Sequence, residues 1–166
     1  SKQGVCLVGK ASMDELAMGG TNKSALTGPV YNPWDTSRIA GGSSGGSAAL
    51  VASGVVPFAL GSDTGDSIRK PAGFCGIVGF KPTWGRISRY GVIPYASSLD
   101  TVGAFTRNVR DMAIVTEAMA GRDNRDMTSS FKEVPHYLEN LTDDIKGLKI
   151  AVLTSVSAVS YTHLTL

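Results

Sequence analysis

The sequence predicts an α/β fold with helices covering the faces of a sheet. Three observations carry that expectation. Short apolar runs that read as strands recur along the chain, segments of helical spacing lie between them, and 166 residues with 42% hydrophobic content are enough to bury a core.

The elements follow in order. Val5-Cys6-Leu7-Val8-Gly9 is an apolar run ending in glycine and reads as a buried strand. Ser12 stands three residues before Glu15, a capping-box spacing that predicts a short helix through Met18. Residues 19–42 are rich in Gly, Thr, Asn and Pro and read as loop. Behind the Gly/Ser run at 41–47, the segment Ala48 to Ser53 is small and apolar on every side, which predicts a buried helix stopped by Gly54 at C′. Val55 to Leu60 reads as a buried strand ended by Gly61, and Gly61 to Gly65 as a second loop. Ser67-Ile68-Arg69 opens a further helix, and Ile77 to Phe80 is a third short apolar run. Helical spacing over 108–120 puts Asn108 at the N-cap and Gly121 at C′. Residues 122–147 read as polar linker and Leu148 to Leu153 as a last strand. There is no internal repeat. Residues 155–166 hold no Asp, Glu, Lys or Arg and read as a non-native tail, leaving 1–154 as the functional portion.

Composition narrows the function. Lys+Arg of 16 against Asp+Glu of 14 gives a net charge of +2, which argues against nucleic acid held by charge on this chain alone. No stretch approaches the ~20 apolar residues of a membrane-spanning helix, and no signal peptide is visible. Cys6 and Cys75 form no CxxC pair, which fits a reducing, cytoplasmic compartment; both sit in apolar runs and read as inert. No His/Cys/Asp cluster has metal spacing, so no metal or cofactor is expected in this chain. Glycine is the anomaly, with 20 residues. That is about 12% against a usual ~7%, concentrated in loops as if backbone geometry served a site.

Gly41-Gly42-Ser43-Ser44-Gly45-Gly46-Ser47 satisfies G-x-S-x-G twice, the pattern of a nucleophile elbow. A Ser-His-Asp triad needs a histidine, however, and His136 lies in the polar linker and His163 in the tail. A phosphate cradle lacks the lysine that should follow Gly46. A flexible linker has no need of the buried helix behind it. The remaining reading pairs the loop with Gly61-Ser62-Asp63-Thr64-Gly65-Asp66-Ser67, whose backbone N–H groups would converge on one point and could hold an oxyanion. A serine there becomes an acylating nucleophile if a neighbour takes its proton, and with neither histidine placed to serve, the base must be a lysine relayed through another hydroxyl.

The two loops together resemble the amidase signature family, which works by a Ser-cisSer-Lys triad. Carried over by position, the resemblance makes Ser67 the acyl-ester nucleophile and Ser43 the relaying serine on a cis peptide bond. It makes the N–H groups of Thr64, Gly65, Asp66 and Ser67 the oxyanion hole. It implies a mixed sheet covered by helices, incomplete here. Met13 to Gly19, Ser88-Arg89-Tyr90-Gly91 and Ala96 to Asp100 are similar to stretches of the glutaminase subunits of tRNA-dependent amidotransferases. That likeness implies glutamine as substrate and ammonia passed to partner subunits that bind tRNA, ATP and Mg. Another family hydrolase acting on a small amide is the alternative.

Three departures qualify the likeness. The family's lysine segment has no counterpart, so the chain reads as an internal fragment, inactive alone. Lys10 reads as structural rather than as a substitute base. Asp66 stands where the family has glycine and is expected to cap the helix opening at Ser67, its carboxylate turned from the nest. Asp63 reads as a loop tie, Arg69 and Lys70 as ion-pairing residues, Trp34 and Trp84 as packing residues, and Met112 to Met119 as a core stripe.

Overall fold

The computed structural model describes residues 3–142 and 144–149. A single 3-10 turn at Glu15–Ala17 precedes a hairpin of β1 (Tyr31–Asn32) and β2 (Asp35–Ile39). Then come helix α1 (Gly45–Ala52), strand β3 (Phe58–Asp63), helix α2 (Arg69–Cys75), strands β4 (Val78–Phe80) and β5 (Thr101–Thr106), and helix α3 (Val109–Met119). The α/β order is as expected, and the described strands all pair antiparallel.

The main sheet has the order β3-β5-β4. β5 pairs with β3 from Phe58↔Thr106 to Asp63↔Thr101, and with β4 from Val78↔Thr106 to Phe80↔Ala104. The core lies where α1 and α2 meet this sheet: Ala48 and Val51 from α1, Ala72 and Cys75 from α2, with Ile68 and Phe105, all buried. Burying a side chain such as Phe105 contributes about 1.5–3 kcal/mol. Close approach of β4 to β5 needs glycine at 103, where a Cβ would run into the Phe80 carbonyl oxygen.

Helix α1 is small and mostly buried, with Gly54 at φ 77° just past its end, as expected. It starts earlier than its apolar part, inside the Gly/Ser run. Asn108 caps α3 by accepting from the Asp111 N–H. Met112 and Ala113 of α3 are buried, whereas Ile114 is exposed.

Several expectations are corrected. Residues 5–9 form no strand, and Leu7 and Val8 are exposed; apolar composition alone does not make a strand. The capping box does not form. Leu16 and Ala17 adopt φ of 54° and 61°, which a right-handed helix cannot propagate, and the Ser12 hydroxyl bonds that of Thr27 at 2.5 Å. The 19–42 loop contains the β1–β2 hairpin. Its Trp34 is 72% exposed and is tied to the end of α2 by an Nε1–H bond to the Cys75 carbonyl at 2.7 Å, rather than being packed. β3 begins at Phe58 and runs through Gly61 to Asp63, because β5 pairs with it across that glycine. β5 itself, the central strand, is an element that the apolar runs do not mark.

Residues 122–137 are no linker. Arg86 donates to the Lys132 carbonyl and the Tyr137 hydroxyl, the Ser88 hydroxyl donates to Asp123, and the Arg89 N–H donates to Asp126. Guanidinium groups stack on rings in three places: Arg89 on Trp84, Arg122 on Phe131 and Arg125 on Tyr90. The segment is largely exposed, but its polar groups also bond it to the fold. The last strand expected at 148–153 and the tail at 155–166 lie largely or wholly outside the described residues. Among the described residues no helix is long and apolar enough to cross a membrane.

Candidate functional site

The site is assembled where α1 begins and where β3 gives way to α2. The Gly42–Ser43 peptide bond is cis, and Ser43 and Ser44 are buried. Ser44 joins the two loops. Its N–H donates to the Ser67 carbonyl at 3.2 Å, and its hydroxyl accepts from the Ser62 N–H at 3.3 Å and donates to the Ser62 carbonyl at 3.2 Å. One turn on, the Ser47 hydroxyl donates to the Leu60 carbonyl at 2.7 Å. Small hydroxyl side chains therefore fasten the start of α1 along β3, which is why the run is Ser and Gly rather than merely flexible. A Cβ at Gly61 would crowd the Ser44 hydroxyl and the Phe105 ring, each 2.8 Å away.

Ser67 is 7% exposed, and its hydroxyl has no hydrogen-bond partner among the described residues. The Ser43 hydroxyl is fully buried and likewise has none. An unpartnered buried hydroxyl is costly, so it marks a place where a polar group belongs. The two loops thus converge, while no direct bond links the two hydroxyls.

Asp63 organises the second loop. Its carboxylate accepts from the Ile68 N–H at 3.0 Å and the Arg69 N–H at 3.3 Å, and from the Arg69 guanidinium at 3.1 and 3.0 Å. Burial pushes this carboxyl up, but the guanidinium and the two N–H groups outweigh it and hold it below the ordinary carboxylate range. The Arg69 guanidinium also reaches the Gly65 carbonyl. Thr64 is fixed from the other side, its hydroxyl donating to Asp100 at 2.5 Å, while Asp100 also accepts from the Tyr95 and Ala96 N–H groups. Held at both ends, the loop leaves the N–H groups of Gly65, Asp66 and Ser67 without acceptors among the described residues. Such an array of unclaimed donors suits a developing negative charge.

The loop-tie role expected of Asp63 and the ion pairing expected of Arg69 and Lys70 are what the structure contains. Asp66 differs. Helix α2 begins at Arg69 with no side-chain cap, and Asp63 serves its first N–H groups. The Asp66 carboxylate instead pairs with Lys70 Nζ at 2.8 Å, one turn along. An ion pair with a near ammonium displaces the weaker capping bond and neutralises a charge that would oppose an oxyanion. Lys10 is exposed, and the hollow it lines is shared with Ser12, Met13, Leu26 and Thr27.

Asp14, Asn22 and Asp100 are scaffold residues that composition and periodicity do not mark, since isolated polar residues in loops leave no pattern. Asp14 and Asn22 are fully buried beside the Ser43 loop, with the Asp14 N–H donating to the Ser43 carbonyl at 3.0 Å. Cys6 is exposed rather than buried in an apolar run, whereas Cys75 is buried and its thiol is pushed up to about 11 by that burial. Among the described residues no group of three or more His, Cys, Asp or Glu could hold a metal ion.

Comparison with known proteins gives a consistent picture. The amidase family matches residues 1–164. The A subunit of the glutamyl-tRNA(Gln) amidotransferase of Geobacillus kaustophilus is 59% identical over 149 residues, which are 90% of this chain and 31% of that protein. The crystal structure of the same-named protein from Thermotoga maritima superposes with a TM-score of 0.76 at 53% identity, over 77% of this chain and 28% of that one. The peptide amidase PAM in complex with the competitive inhibitor chymostatin gives a TM-score of 0.76 at 38% identity, over 82% of this chain and 30% of that one. The chain therefore spans about a third of the length of the relatives it matches.

Proposed function

The chain belongs to the amidase family, and from that premise we propose that it carries the serine pair and oxyanion hole of a glutamine-hydrolysing subunit. The observation that carries the reading is the junction at Ser44, which brings the Ser67 turn against the Ser43 loop while the Ser43 hydroxyl stays buried and unpartnered. In this reading the Ser67 hydroxyl oxygen attacks the side-chain amide carbon of glutamine, and its proton passes to Ser43. The Ser43 proton passes to a lysine supplied by a part of the whole protein outside this chain. Charge on the amide oxygen settles on the N–H groups of Thr64 to Ser67, a stabilisation worth about 2.7–4 kcal/mol per donor in comparable sites. The nitrogen takes up a proton and leaves as ammonia, and water then cleaves the Ser67 ester to give glutamate.

The high identity to the amidotransferase relatives supports a place in a tRNA-dependent amidotransferase. Ammonia then goes to a partner subunit, where ATP and Mg serve to activate the side chain of Glu-tRNA(Gln) or Asp-tRNA(Asn). The near-neutral charge fits a subunit that leaves tRNA to its partner, and two unpaired cysteines fit the cytoplasm. Likeness to the peptide amidase favours one other reading, hydrolysis of a small amide without a partner.

The test uses the full-length protein assembled with its partner subunits. Ser67→Ala should abolish amidation driven by glutamine and leave amidation driven by added ammonia intact. Glutamine-driven amidation that survives Ser67→Ala overturns the proposal, and rapid hydrolysis of simple amides without glutaminase activity favours the second reading.

A further inference from the structure

A buried ring of bonds encloses the Ser43 loop, and the amide-cleaving chemistry does not itself use it. The Asp14 carboxylate accepts from the Asn22 N–H at 2.9 Å, from the Ser24 N–H at 3.2 Å and from the Ser24 hydroxyl at 2.8 Å. That closes residues 19–24 into a loop, and the loop returns two bonds. The Gly42 N–H donates to the Gly20 carbonyl at 2.9 Å, and the Gly45 N–H donates to Asn22 Oδ1 at 2.8 Å. With the Asp14 N–H on the Ser43 carbonyl, the backbone is held at Gly42, at Ser43 itself and at Gly45. The fit leaves no slack: a Cβ at Gly42 or Gly19 would run into the Asp14 carboxylate, and one at Gly45 would lie 2.8 Å from Asn22 Oδ1. Asn22 Nδ2 is buried without a partner, as the Ser43 hydroxyl is.

A buried carboxylate is expensive unless its donors are in place, and here three donors satisfy it. The three bonds all serve to shape one short loop. Proton relay through a hydroxyl tolerates only about half an ångström of misplacement, and what the ring holds is the backbone that carries the Ser43 side chain. We propose that Asp14 and Asn22 are positioning residues that fix the Ser43 loop for proton transfer, a role that rests on the reading of Ser43 as the relay. Asp14→Asn would turn an amide NH2 against an N–H or O–H donor and open the ring, while the backbone bond from residue 14 to Ser43 remains.

The experiment measures glutaminase kcat and KM in the full-length protein with its partner subunits. For Asp14→Asn and for Asn22→Ala, kcat should fall roughly tenfold to a hundredfold with KM within about twofold, as befits residues that position a relay rather than bind substrate. Asp14→Asn combined with Ser43→Ala should be no slower than Ser43→Ala alone, a non-additivity that a merely structural role does not produce. Parental kcat in folded Asp14→Asn, or losses that multiply in the double variant, overturns the clamp. If Asp14→Asn does not fold, Ser24→Ala, at an exposed position, removes one donor from the ring; a lowered kcat at constant KM supports the clamp and an unchanged kcat overturns it. Ser43→Ala with parental turnover overturns the relay and the clamp together, whereas an inactive Ser43→Ala beside a fully active Asp14→Asn overturns the clamp alone.

Discussion

Replacing Asp63 by asparagine removes the charge that holds the second loop. Its carboxylate is fully buried and takes four bonds, three of them on Oδ2 and the fourth from Arg69 Nη2 on Oδ1. Asparagine keeps an acceptor for the first three but sets its NH2 against the Arg69 fork, so one bond is lost and three lose their charge. A hydrogen bond to a charged group is worth about 1.5–3 kcal/mol and a neutral one about 0.5–1.5. The Arg69 side chain is 51% exposed, and water screens its share. With the two Arg69 bonds set aside as screened, the two N–H bonds each weaken by about 1–1.5 kcal/mol, a loss of about 2–3 kcal/mol or roughly 5–10 °C in melting temperature for a chain of this size. The pH dependence has a definite sign. The Asp63 carboxyl titrates below its ordinary value in the fold, so the stability it contributes is present above the unfolded carboxyl value of about 3.9 and is lost as pH falls through the folded one. Melting curves of parent and Asp63→Asn should therefore stay apart by a constant interval from pH 7 to pH 5 and draw together below about pH 4. A gap absent at neutral pH, or one that persists unchanged at pH 3, refutes the account of this carboxylate.

Gly103→Ala forces a Cβ into the Phe80 carbonyl and should cost about 1–3 kcal/mol or more, read as a lowered melting temperature; a neutral effect would contradict the register of β4 on β5. A thiol reagent at pH 7.5 should label Cys6 at once and Cys75, buried and raised to about 11, only after denaturant is added, as counted by mass spectrometry. The 166-residue chain by itself should release no ammonia from glutamine above background, because no lysine among the described residues bonds the Ser43 hydroxyl; turnover would show that one of its own lysines serves.

Local chemistry with short reach was legible in the sequence. Helix α1 could be placed from its small apolar residues and Gly54, and α3 from Asn108, because caps and periodicity act within a few residues. The two Gly/Ser loops were legible for the same reason, as were a loop-tying role for Asp63 and an ion-pairing role for Arg69, although not that the two residues pair with each other. Strand pairing was not, since β5 is defined by partners far away in the chain, and Leu7 and Val8 show that apolarity without a partner yields no strand. Asp66 departs from its expected cap because the competing ammonium of Lys70 lies one helical turn away, beyond the loop residues that suggest capping. The Asp14 ring was invisible for a deeper reason: it depends on a left-handed Asn22 (φ 58°) and on side chains that meet only after the loops have closed.

β3 and β4 share no ladder with each other; both depend on β5, which begins only at Thr101. On the ribosome, then, the turn that bears Ser67 is made and exposed well before the strand that will anchor β3 has emerged. That corner lacks its β5 partner until residue 106 is free, so nascent chains stalled short of that point should stay protease-sensitive through the Gly61–Ser67 stretch.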